Sequence, residues 1–112
     1  MAEPTTQEEY REVIDACVRK VIDAHPELAQ EFWANPVYGR SAEWSVIPLF
    51  SLKADHRQAK TEGLTKSLGE ALKADLLAAG AHLNPPLTVV VDFDNMETVA
   101  AVGGMENYFM GH

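Results

Sequence analysis

Near the C-terminus, the stretch VVVDFDNMETV sets Asp92, Asp94 and Glu97 close together at the end of an apolar run. Carboxylate oxygens suit hard cations such as magnesium, and aspartates at a strand end commonly hold such an ion against a phosphate. Strand alternation would put Asp92 and Asp94 on one face, opposite Val91 and Phe93, so that two carboxylates converge on one cation. Any Asp-x-Asp on a strand does this, however. The plainer reading makes Asp92 a solvated strand end and Asp94-Asn95 turn formers. That reading is preferred here, with no catalytic residue, metal or cofactor assigned. A metal-dependent hydrolase or phosphate-binding protein centred on Asp92, Asp94 and Glu97 stands as the alternative.

VVVDFDN resembles the opening motif of the NYN-type nucleases, PIN-like enzymes whose first strand ends in an aspartate closely followed by an asparagine. The resemblance implies Asp92 as the metal-binding aspartate and Asn95 as its companion. Most of that catalytic domain follows the strand, whereas here the sequence ends at His112, so the assignment is not made. The Asp-x-Asp opening of haloacid dehalogenase-like phosphatases is set aside for the same reason. An EF-hand loop is excluded by Met96 where an oxygen ligand is needed and Glu97 where the turn requires glycine.

Other chemistries lack their spacing. His25, His56, His82 and His112 form no recognised zinc pattern, although His56 follows Asp55 directly. No Gly-x-Ser-x-Gly is present, and GGMENYF lacks the lysine of a phosphate-binding loop. Cys17 is the single cysteine and reads as a small buried hydrophobe, so the fold must stand without an intrachain disulfide.

These residues must be held by local elements. Thr6 and Glu9 have capping-box spacing, and Tyr10, Val13, Ile14, Cys17, Val18, Val21 and Ile22 give one apolar stripe, so a helix starts after Thr6. Arg11, Asp15 and Arg19 are spaced to pair across turns. His25-Pro26 interrupts it, and a second short helix is expected from about Pro26 to Ala34. NPVYGRSAE then reads as a surface loop. Alternation from Trp44 to Leu52 predicts a strand, near a sheet edge because Pro48 lacks the ladder donor. KADHRQAKTEG stays open between loop and helical turn. Leu64, Leu68, Leu72, Leu76 and Ala79 predict a helix, with Gly80 capping it in the left-handed conformation. Leu87 to Phe93 is a strand. Beyond it, strands from Thr98 to Val102 and Met105 to Met110 about a diglycine turn are preferred to a helix capped by Asn95.

The expected fold is a single α+β domain over residues 1–112. It has a small sheet of two to four strands covered by about three helices, in the order α-α-β-α-β-(β-β). No apolar run is long enough to cross a bilayer and the acidic start is unlike a signal peptide, so a cytoplasmic protein is expected.

The net charge of −8 opposes direct nucleic-acid binding, which depends on Lys and Arg neutralising phosphates. The charge is uneven: residues 74–112 hold five acids and no Lys or Arg, whereas the middle of the chain is slightly basic. Trp33 and Tyr38 lie where a loop cannot bury all the aromatic groups, and Glu8, Glu12 and Asp15 mark an acidic helix face. Together they are the candidate partner-binding residues. The expected function is a small acidic protein-binding inhibitor, of immunity, antitoxin or phage-accessory type, that occludes a basic partner. A homodimer formed through the Pro48 strand or the terminal segment, or a structural subunit of an oligomeric assembly, is a further alternative.

Overall fold

A computed structural model of the chain describes residues 3–38, 40–101 and 103. In chain order the elements are α1 (Gln7–Ala24), β1 (Leu28–Val37), β2 (Arg40–Phe50), α2 (Lys53–Thr61), α3 (Leu64–Ala79), β3 (Thr88–Val91), β4 (Asp94–Asn95) and α4 (Met96–Ala101). The α+β class is therefore what the structure shows, with four helices and a four-stranded mixed sheet among the described residues.

The N-terminal helix forms for the reasons its sequence gives. Thr6 accepts from the Glu9 amide while the Glu9 side chain accepts from the Thr6 amide, satisfying two otherwise orphaned donors. Tyr10, Ile14, Val18 and Ile22, each a turn apart, are buried on the sheet. The helix stops at His25, before Pro26. Cys17 is half-buried against the core. Its thiol is pushed up from its ordinary pKa, first by burial and then by the Asp75 charge, which keeps it protonated.

After Pro26 the structure departs from expectation. Residues 28–37 are a strand, not a second helix, and most of the stretch expected as a surface loop is strand, 35–37 in β1 and 40–43 in β2, paired as an antiparallel hairpin. ELAQEFWA is rich in helix formers, but so short a helix is marginal in water, and pairing with β2 overrides the propensity. The strand period was also hidden. Leu28 faces Phe50 while Phe32 faces Pro48, so β1 bulges where alternation would have been read.

Strand β2 is the centre of the sheet. It pairs antiparallel with β1 on one side and parallel with β3 and then β4 on the other. Pro48 is therefore in the central strand, not near an edge, and the sheet edge proposed there for a homodimer does not exist. Its missing N–H falls in a gap: the ladder to β3 ends at Val46 opposite Val91, and the ladder to β4 resumes at Leu49 opposite Asp94. Trp44, Val46, Pro48 and Phe50 turn one way into the main core, where Tyr10 meets Trp44.

The loop left open at Lys53 is α2, which Gly63, with φ +78°, separates from α3. Helix α3 spans the expected residues, but Gly80 is not left-handed; its φ is −98°. Glycine is needed there because an added Cβ would stand 2.5 Å from the Leu87 Cβ. Finally, residues 96–101 are a helix rather than a strand, and Asn95 Oδ1 caps it by accepting from the Thr98 amide at 2.8 Å. The proposed Met105 to Met110 strand lies outside the described residues.

Candidate functional site

Asp92, Asp94 and Glu97 are not brought together. Register keeps Asp92 and Asp94 on the side away from Val46 and Phe50, as alternation requires, but their surroundings differ. Asp92 is exposed at the rim of a groove, whereas Asp94 Oδ1 accepts from the Asn95 amide at 2.9 Å. Glu97 turns to the start of α2, where its carboxylate accepts from the Lys53 amide and serves as a cap supplied from another helix. Among the described residues no group of three or more His, Cys, Asp or Glu is placed to hold a metal ion.

Beside them lies a constellation that sequence reading missed. Asn95 is the buried polar residue of the molecule's described part, 3% exposed. Capping α4 fixes its amide orientation, so its Nδ2 donates to His56 Nδ1 at 3.0 Å. His56 must then accept at Nδ1 and carry its proton on Nε2. The ring stacks on Phe50, with centroids 5.2 Å apart and planes inclined by 12°. Burial lowers its pKa, Asp94 opposes the shift and Lys60 adds to it. A histidine held neutral in one tautomer is thus set at the wall of the groove. No local spacing announces it, because His56 and Asn95 meet only through β4 and α2.

The groove, of about 480 Å³, runs between β3 and α3. Lys60, Lys66 and Lys73 line it, three of the five lysines of a chain whose net charge is −8, together with Glu70 and Asp92. Among the described residues none of the three lysines is within ion-pair distance of an acid.

The residues expected to bind a partner occupy a different part of the surface. Tyr38, at the tip of the β1–β2 hairpin, is fully exposed at 101%. Trp33 and Ile47 are paired neighbours on the sheet face turned away from the main core, both half-buried, and Val90 on the same face is 48% exposed. That face is closed at its β4 end, where Leu49 is buried, half-covered at Trp33 and Ile47, and exposed at Val90.

Glu8, Glu12 and Asp15 lie exposed on α1. Arg11 donates to the Ala34 carbonyl at 3.0 Å and Arg19 to the Gln30 carbonyl at 2.7 Å, so α1 runs antiparallel to β1 with its first turn toward the hairpin tip. Glu8 and Glu12 therefore lie at the Tyr38 end of the β1 edge. Asp15 is engaged by Arg19 at 3.5 Å, and Arg11 lies 5.1 Å above the Trp44 ring instead of pairing with Asp15. Tyr38 thus shares its end of the molecule with Glu8 and Glu12, whereas Trp33 lies on the sheet face turned away from α1.

No helix among the described residues is long and apolar enough to cross a membrane. Comparison with protein families, curated proteins and solved structures found no match to the chain.

Proposed function

We propose that this chain is a small acidic protein-binding domain of the cytoplasm that occludes a basic surface of its partner, in the manner of an immunity-type or antitoxin-type inhibitor. The observation that carries this reading is Tyr38, fully exposed at the tip of the β1–β2 hairpin, on a strand pair whose outer face carries the half-buried Trp33 and Ile47. A tyrosine standing fully in solvent at a hairpin tip has no folding role that explains it, and Trp and Tyr are the side chains that anchor interfaces. Glu8 and Glu12 at the same end supply the charge that steers a basic partner, and the net charge of −8 acts in the same sense.

Capture from the native host, repeated with Trp33→Ala and Tyr38→Ala, tests the proposal. A basic protein retained at low salt, released as salt rises and lost with either substitution at unchanged melting temperature is the expected result. Retention that ignores both salt and the two substitutions would defeat it.

A further inference from the structure

The groove between β3 and α3 joins three features that folding alone does not require. The first is a strand edge that no described residue covers. Among the described residues β3 pairs with β2 on one side only, and Asp92 N–H points inward to the Val46 carbonyl at 3.0 Å. Alternation therefore turns the N–H and C=O of Val91 outward, where they have no hydrogen-bond partner among the described residues. The second is Gly69, in the middle of α3. A Cβ there would stand 3.5 Å from the Phe93 ring, an ordinary contact, so packing admits alanine. Glycine nonetheless occupies a position where it costs the helix about 1 kcal/mol, and its bare backbone leaves the floor of the groove open over Phe93. The third is charge: Lys66 and Lys73 lie seven residues apart on the α3 wall, about 10 Å along the helix axis, and Lys60 of α2 also lines the groove.

We propose that this groove receives an extended acidic segment of another protein, which adds a strand to the free edge of β3 and sets carboxylates against Lys66 and Lys73. Strand addition takes its affinity from main-chain hydrogen bonds and its specificity from what flanks the edge. Here the flank is a helix that offers ammonium groups and, at Gly69, no side chain. Lysines beside an edge also deter indiscriminate pairing, and an acidic strand is the kind for which that deterrent becomes an attraction. Glu70 and Asp92, also on the rim, disfavour acids at other positions and so set the register. The groove meets the Trp33 face at Val90, which lines both, but the strand edge of β3 and the α3 lysines do not depend on the reading given to Trp33 and Tyr38.

The test is titration of the full chain with acetyl-Glu-Val-Glu-Val-Glu-amide, followed by amide NMR. Shifts should centre on Val91 and Phe93, and the same peptide N-methylated on alternate residues, or its lysine counterpart, should leave them at least tenfold weaker. The Lys66→Glu/Lys73→Glu double variant and Gly69→Leu, each with its melting temperature recorded, should both lose the response while remaining folded. The proposal is overturned if the acidic peptide leaves Val91 and Phe93 unmoved. It is also overturned if inorganic phosphate or the N-methylated peptide moves them equally, which would mark a small-anion site. If the double variant only self-associates and keeps the peptide response, the lysines are guards of the edge and the proposal fails.

Discussion

His56 and Asn95 show how a single hydrogen bond fixes a protonation state. The Asn95 amide is oriented by the helix it caps, and that orientation makes it a donor to His56 Nδ1. Protonating the ring at Nδ1 breaks this bond and places charge in a half-buried site, so the folded-state pKa lies below the usual histidine value. With the folded value below the unfolded one, the stabilisation is complete above about pH 6.5 and is lost as pH falls toward the folded pKa. The melting temperature of the native chain should therefore drop below pH 6.5 more steeply than that of His56→Gln. Asn95→Asp separates the cap from the donor. Aspartate caps as well as asparagine, but it offers His56 an acceptor, so the ring should titrate at higher pH than in the native chain when followed by histidine NMR. An unchanged His56 titration would contradict the assigned tautomer. The carboxylates of this region were legible in the sequence as residues and not as a site. Glu97 entered the alternative metal reading because nothing local shows that the α2 N-terminus takes its side chain.

At the scale of elements, the sequence was most readable where order is local. The capping box and apolar stripe of α1, and the leucine stripe of α3, state their helices within one or two turns. Strand β1 was not readable, because its bulge erases the period and its partner lies across the hairpin. Pro48 misled for a related reason: proline marks a missing donor, and an interrupted ladder in a central strand serves as well as an edge. Gly80 was located correctly and explained wrongly. Since its φ is −98°, substitution adds no left-handed strain, and the cost comes from the Leu87 side chain at 2.5 and 2.8 Å. Gly80→Ala should therefore destabilise the fold by about 1–3 kcal/mol, as overpacking does, in urea denaturation. A neutral or stabilising result would show that α3 and β3 can separate without penalty.

For the whole molecule, the arrangement of layers matters more than any one motif. The helical layer covers the sheet side that holds Trp44, Val46 and Phe50, and leaves part of the other side, with Trp33, Ile47 and Val90, without such a cover among the described residues. Arg11 and Arg19 occupy carbonyls of the β1 edge, so that edge is protected while the hairpin tip beyond it is not. The acidity of the chain was plain from composition, but the position of Glu8 and Glu12 toward the hairpin end followed only from the antiparallel packing of α1 on β1. The most direct test replaces Tyr38 with a photo-crosslinking phenylalanine analogue in the native host, with Leu77, exposed on α3, as the control position. One discrete adduct with a basic protein from position 38, diminished by salt and absent from position 77, is the result the binding account predicts. No adduct from position 38, or the same adducts from both positions, would contradict it.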